Sequence, residues 1–226
     1  MPEVPARIVS IAHHDSGVRL ITLTIHASFP FFAGQYLNVV HPGGARIPMS
    51  IASAPDHLPR LELHYRPLPG VAEAVLMNGL LVDGSTELQL DGPYGEVRFD
   101  GRSVGDLLLI AGGSGITQCR AIVDHLRANG QTQAVQLVWS VTQPDQLYCD
   151  EELRTFAAWL DYVAVVDRPG RENAAITWLR KAKLPQSGRI IVSGGPGFVY
   201  AVVDVLHATG VADASIESDV FSYAPR

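Results

Sequence analysis

Leu107-Leu-Leu-Ile-Ala-Gly-Gly-Ser-Gly-Ile-Thr-Gln118 is the stretch on which the reading of this chain turns. Leu107–Ala111 is a continuous apolar run of strand length, the pattern of a strand buried on both faces of a parallel sheet. Gly112, Gly113, Ser114 and Gly115 follow, and a helix opens at once, expected from Thr117 to Ala128 and ended by Asn129-Gly130. Glycines let backbone N–H groups approach a bound oxyanion, and a helix N-terminus adds unpaired donors and partial positive charge. The combination suits a pyrophosphate, although the same turn serves a strand and helix that bind nothing. Its spacing is neither Gly-x-Gly-x-x-Gly nor a phosphate loop closing on Lys-Ser/Thr.

Downstream the strand–helix alternation continues. Strands are expected at Val135–Val141, Tyr162–Val166 and Arg189–Ser193, and helices near Asp150–Trp159, Ala174–Lys181 and Gly197–Thr209. The last strand runs into a second glycine turn, Ser193-Gly194-Gly195-Pro196. Two such turns at strand ends of one sheet fit a ligand lying across its carboxyl edge. Upstream of Asp100-Gly101 the character changes. Short β-rich runs (Ala6–Ala12, Val18–His26, Gln35–Val40, Met49–Ser53, Arg60–Tyr65, Glu87–Leu90) alternate with turn residues, with one helical stretch near Val71–Asn78. That spacing predicts an antiparallel barrel. The expected architecture is a six-stranded antiparallel β-barrel over residues 1–101 and a doubly wound parallel-sheet α/β domain over 102–226.

Composition narrows the function classes. The 226 residues are 47% hydrophobic and 18% charged, enough for ordinary cores, and a net charge of −6 without basic runs argues against nucleic acid or an anionic membrane as partner. No apolar run approaches the ~20 residues that span a bilayer, and the N-terminus lacks a signal-peptide pattern. Two dispersed cysteines, Cys119 and Cys149, cannot supply the four ligands of an iron–sulfur cluster. A cytoplasmic protein is expected. The eight histidines form no metal-ligand pattern.

In the barrel half, Phe32-Ala-Gly-Gln-Tyr36 and Arg46-Ile-Pro-Met-Ser-Ile-Ala-Ser53 are the unusual segments. Ser50 and Ser53 offer hydroxyls to a flat heterocycle, or are ordinary strand residues. Taken with Gly92-Pro93-Tyr94-Gly95, Ala111–Gly115 and Ser193–Pro196, these segments follow the order of motifs in the ferredoxin–NADP reductase superfamily. The chain resembles its compact bacterial NAD(P)H:flavin reductases. The resemblance implies a flavin (FMN, FAD or riboflavin) on the barrel, NADH or NADPH on the α/β domain, and hydride transfer in a cleft between them. It implies flavin contacts from Pro48, Met49, Ser50, Ile51, Ala52 and Ser53, with the Ser50 hydroxyl at flavin N5. His64, Tyr65 and Arg66 lie on the strand that borders the flavin in this family, where His64 and Arg66 touch the ring or form a surface face.

Departures from the family pattern bear on the flavin's tail. Ile47 stands where the family has a phosphate-binding Arg, and Arg46, one residue earlier, is expected on the opposite face. Met49 replaces the aromatic that would stack on the ring. Glu73 stands in the helical stretch where a hydroxyl would meet phosphate. The flavin is therefore expected to bind weakly, through its ring, as an exchanging substrate. Dinucleotide contacts are expected from Gly112, Gly113, Ser114, Gly115, Thr117, Thr142, Ser193 (where the family often has Cys), Gly194, Gly195 and Pro196. Tyr148 borders the adenine or merely packs. The loop Ser140–Tyr148 holds Asp145 and no Lys or Arg, which favours NADH over NADPH. By the resemblance Phe221 or Tyr223 covers the flavin face, or both simply cap the barrel–sheet interface. The expected activity is NAD(P)H:flavin oxidoreduction releasing reduced flavin, with a flavin-dependent monooxygenase or other acceptor as consumer. Two alternatives are a flavin-retaining reductase subunit docking on an oxygenase or iron–sulfur partner, and a non-catalytic nucleotide sensor.

Overall fold

The structure, a computed structural model, describes residues 3–67, 69–82, 86–101, 105–130, 134–184 and 188–226. The chain divides into two compact units: Met1–Asp100 with Arg120–Asn129, and Gly101–Cys119 with Gly130–Arg226. Residue 102, where the sequence suggests the second domain starts, lies outside the described residues.

In the first unit six strands, β1 (Val4–His13), β2 (Arg19–Ile25), β3 (Tyr36–Val40), β4 (Arg46–Ser50), β5 (Arg60–Tyr65) and β6 (Glu87–Tyr94), form one antiparallel sheet in the order β4-β3-β6-β1-β2-β5. An Ile51–Leu63 bridge and the Ala52 N–H to Glu62 carbonyl bond (2.8 Å) join the two ends and close the barrel. Closure removes the unpaired edges that an open sheet would expose. Alternation with period two explains the interior: Leu37, Val39, Ile47, Leu61, Leu63 and Leu90 are buried and their neighbours along each strand face outward. Helix α1 (Ala72–Val82) adds Ala74, Met77 and Leu80 to the same core. The motif around Gln35 is architectural. Its amide oxygen accepts from the Phe32 N–H (2.9 Å), and its own carbonyl accepts from the Ile51 N–H (3.1 Å).

The second unit holds five strands, β7 (Asp106–Gly112), β8 (Val135–Val141), β9 (Leu160–Val166), β10 (Gly188–Ser193) and the short β11 (Ile216–Glu217). They are parallel, in the order β11-β10-β7-β8-β9. Leu107, Leu108, Leu109 and Ile110 are all buried although neighbours point to opposite faces, so both faces of β7 are covered. Helices α4 (Ala174–Leu179) and α5 (Pro196–Ala208) pack with α6 (Val220–Tyr223) on the face of Leu108 and Ile110. Helix α2 (Ile116–Ala128) opens directly after the glycine turn, and α3 (Asp150–Arg154) is a short turn between β8 and β9. The expected class, antiparallel barrel plus parallel α/β sheet, is the observed one. The strand expected at Met49–Ser53 instead runs Arg46–Ser50, because backbone pairing to β3 ends at Tyr36–Ser50. The helix expected to reach Trp159 stops at Arg154.

Among the described residues no helix is long and apolar enough to cross a membrane, and no cluster of His, Cys, Asp or Glu could hold a metal ion.

Candidate functional site

On the barrel the decisive feature is the outward face of β4. Residues directly opposite in an antiparallel pair share a face, and the register pairs Arg46 with Val40, Pro48 with Asn38 and Ser50 with Tyr36. Arg46, Pro48 and Ser50 thus point outward together. Tyr36 also pairs with Tyr94 on β6, and the two rings sit 5.8 Å apart at a 37° tilt. Ser50 is half-buried, and its hydroxyl has no hydrogen-bond partner among the described residues. Tyr36 and Tyr94 were not singled out from sequence; the β3–β4 register is the signal that brings Tyr36 beside Ser50.

One expectation needs correction here. Met49 does not share this face. It is 7% exposed and packed among the barrel's core residues, opposite Leu37, so it cannot lie along a ring held at Ser50. Arg46 lies on the opposite side of the strand from buried Ile47, as expected, and shares the outward side with Ser50 about 13 Å away at ~3.3 Å per residue. Its guanidinium is engaged by Asp91, a nearly buried carboxylate that also accepts from the Tyr94 hydroxyl (2.8 Å), with Glu3 3.8 Å away.

The remaining barrel candidates are buried or half-buried. Ile51, Ala52 and Ser53 are buried, and the Ser53 hydroxyl accepts from the Glu62 N–H (3.0 Å), tying two chain segments together. Tyr65 faces the core and donates to the Ala74 carbonyl (2.7 Å). Arg66 is half-buried. His64 shares the outward side of β5 with Glu62, 4.0 Å away, but its side chain is covered there and only 4% exposed. Arg120 bonds both Glu62 (3.0 Å) and the Ala52 carbonyl (2.8 Å). Burial, and then the Arg120 charge, push the His64 pKa from 6.5 down to about 3, so the imidazole is neutral. A histidine whose folded pKa is depressed costs stability below its unfolded pKa, because only the unfolded chain takes up the proton. Stability should fall as pH drops from 6.5 toward 3, by up to ~1.4 kcal/mol per pH unit from this group. Urea midpoints at pH 7 and pH 5 should therefore differ less in His64→Gln than in the wild type; equal differences would mean that His64 takes up its proton in the fold as it does in the unfolded chain.

In the second unit the two glycine turns sit side by side at the ends of β7 and β10, whose register pairs Ser193 with Ala111. Their glycines do different jobs. A Cβ on Gly115 would stand 2.3 Å from the Ser193 carbonyl oxygen, and one on Gly112 2.6 Å from the Phe198 ring. Gly194 likewise faces Phe198 at 2.9 Å. These three let the turns pack against each other. Gly113 and Gly195 instead look onto open space, with nothing within 4 Å of a built Cβ. Helix α5 starts at Pro196 just past Gly195, and α2 starts just past Gly115. Exposed Ser114 sits between the two classes of glycine. Thr117 is buried, its hydroxyl donating to the Ser114 carbonyl (2.9 Å), so it fixes the turn. Trp139 donates to the Gly113 carbonyl (2.9 Å) and meets Tyr148 edge to face at 5.5 Å. The Thr142 hydroxyl and N–H both bond the Gln146 side chain (3.1 and 3.2 Å). Ser193 is 8% exposed. Near the C-terminus Phe221 rests against Tyr200 at 6.0 Å, while Tyr223 is exposed.

A six-stranded antiparallel barrel, followed by a parallel sheet with two glycine turns at adjoining strand ends, defines the ferredoxin reductase-like two-domain class. The Amycolatopsis cytochrome P450 reductase shares this fold, with a TM-score of 0.82 over 96% of this chain and 69% of that one at 24% identity. The profile of the oxidoreductase NAD-binding domain matches residues 109–203. The NAD(P)H-flavin reductase of Vibrio harveyi is 37% identical over 187 residues, 79% of this chain and 76% of the relative. A probable flavin reductase of Photobacterium leiognathi is 30% identical over 182 residues, 77% and 74% of the two chains. The chain belongs to the NAD(P)H-flavin reductase family, the flavin reductase branch of the ferredoxin–NADP reductase superfamily.

Proposed function

We propose that this protein is an NAD(P)H:flavin oxidoreductase in which the barrel (residues 1–101) receives a flavin and the α/β domain (102–226) a nicotinamide dinucleotide. The observation that carries the flavin half is the unpartnered Ser50 hydroxyl on the outward face of β4. The face fits a flat heterocycle: Pro48 and the Tyr36–Tyr94 pair offer ring surfaces beside one hydroxyl that can donate or accept. The dinucleotide half rests on Gly113 and Gly195, open-sided glycines at the starts of two 13-residue helices, where backbone donors can meet a pyrophosphate.

When bound, the flavin supplies the atom that accepts hydride from the nicotinamide. The chain's own residues position the partners. Ser50 holds the reacting edge without changing charge, and the turns at Gly112–Gly115 and Ser193–Pro196 hold the donor. No side chain needs to act as a general base, since hydride transfer depends on alignment of two rings at about 3–3.5 Å.

Asp91 gives a reason for weak retention of flavin. A guanidinium committed to a nearly buried carboxylate is a poor phosphate ligand, because releasing it leaves that charge unpaired. Riboflavin and FMN should accordingly be reduced with kcat/KM values within about threefold of each other, whereas a charge-assisted phosphate bond would separate them by tenfold or more. Arg46→Ala should leave that ratio unchanged. Reduced flavin would then leave for an acceptor such as a flavin-dependent monooxygenase. Steady-state NADH and NADPH oxidation with riboflavin, FMN and FAD, after assay of flavin retained through desalting, tests this. Stoichiometric retained flavin would instead favour a reductase subunit that keeps its cofactor.

A further inference from the structure

We infer that the first unit carries a second small-molecule site, a cationic cleft between the outward side of β2 and β5 and the second half of α2, which takes a phosphomonoester. A cleft of about 590 Å³ opens there, and every residue that lines it belongs to the first unit. Its volume falls in the range of roughly 300–1,000 Å³ usual for small-molecule sites. No residue of the Ser50 face lines it. Arg60, which does, stands about 10 Å along β5 from Leu63, the residue bridged to Ile51 beside Ser50.

Strand alternation supplies one wall. Leu61 and Leu63 enter the barrel core, so Arg60 and Glu62 between them point outward. Arg60 pairs directly with Thr24 of β2. The guanidinium stem and the hydroxyl therefore stand on one side of the sheet, with Cβ atoms about 5 Å apart. Helix α2 supplies the facing wall. Arg120, Asp124 and Arg127 recur at the spacing of four and three that puts side chains on one helix face. His57 and Pro59, just before β5, complete the lining.

The charges of this lining do not balance. Three guanidiniums, on Arg60, Arg120 and Arg127, stand against the two carboxylates of Glu62 and Asp124. Both carboxylates are already engaged. Arg120 donates to Glu62 (3.0 Å), while Asp124 accepts from Arg127 (2.7 Å) and lies 3.2 Å from the His57 imidazole. Arg60 is the surplus cation: among the described residues it has no carboxylate within 4.0 Å, and the Thr24 hydroxyl opposite it has no hydrogen-bond partner. In a chain of net charge −6 a concave surface with excess cation is a local exception, and it draws anions. A guanidinium fork with a hydroxyl beside it offers donors from two strands, which suits a tetrahedral phosphate, whereas the fork alone satisfies a planar carboxylate. Pro59 and the aliphatic stems of the arginines leave room for a small organic body.

The probes are ribose 5-phosphate, ribose and succinate, titrated calorimetrically into the full chain with saturating NAD+ present to keep other phosphate-binding turns occupied. Ribose 5-phosphate should bind at least about tenfold more tightly than either ribose or succinate. Arg60→Gln should weaken it by about tenfold or more, and Thr24→Val by about threefold, because the first removes a charged donor and the second a neutral one. Neither change breaks a side-chain bond of the fold, so kcat/KM for NADH should stay within about twofold in both variants. Succinate binding as tightly as ribose 5-phosphate would overturn the phosphate assignment. An affinity unchanged in Arg60→Gln would place the phosphate outside the cleft, and the absence of binding heat at millimolar ribose 5-phosphate would overturn the site outright.

Discussion

Ser50→Ala is expected to lower turnover with saturating NADH and flavin by about tenfold to a hundredfold, leaving the thermal midpoint nearly unchanged. The range is that of one hydrogen bond worth more in the transition state than in the ground state. Stability should hardly move because the hydroxyl has no partner among the described residues, so its removal leaves no buried group unsatisfied. The split between kcat and KM distinguishes roles. A positioning hydroxyl felt as alignment lowers kcat, whereas a hydroxyl that only helps bind the ring raises the KM for flavin and leaves kcat intact. Ser50→Thr, which keeps a hydroxyl, should recover part of the loss. Stopped-flow measurement of NADH oxidation at saturating flavin is the direct check, and wild-type rates in the alanine variant would remove Ser50 from the mechanism.

How far the sequence spoke for the structure depends on which physical signal carried each feature. The parallel sheet was legible because Leu107–Ala111 and its counterparts are continuous apolar runs, and the barrel because short strands recur between turn residues. Facing was less legible. Arg46, Pro48 and Ser50 share the outward side of β4 while Met49 enters the core. A family motif gives the order of residues but not the strand phase of this chain, and a slip of one residue reverses every side chain. The Arg46–Asp91 pair joins residues 45 apart in sequence, and no local pattern announces it. The same holds for His64, whose pKa is lowered in part by Arg120, a residue 56 positions later that α2 contributes to the barrel unit. The glycines were legible as a class. Their division into packing positions and open-sided positions was not, because it depends on how near the turns after β7 and β10 approach each other.

That division leads to the second large effect. Gly115→Ala should lower the thermal midpoint by about 6 °C or more, equivalent to roughly 3 kcal/mol. The new methyl would meet the Ser193 carbonyl carbon at 2.5 Å and the Gly194 nitrogen at 2.8 Å, as well as the carbonyl oxygen at 2.3 Å. All three are backbone atoms that cannot rotate aside, so the two turns must separate. Separation disturbs both strand ends that the proposed dinucleotide site needs, and NADH binding should weaken along with stability. Gly113→Ala is the informative contrast. Its φ of +54° makes a side chain strained by about 1–2 kcal/mol, but nothing lies within 4 Å of the new methyl. The fold should survive with a midpoint loss of a few degrees. If the open side of Gly113 is where the pyrophosphate sits, the methyl occupies that space, and the KM for NADH should rise by about tenfold or more. Thermal unfolding and NADH kinetics on the two variants therefore separate a glycine kept for packing from one kept for ligand approach. A Gly115→Ala protein with the wild-type midpoint would show that the turns are not in contact, and a Gly113→Ala enzyme with the wild-type KM would move the pyrophosphate away from β7.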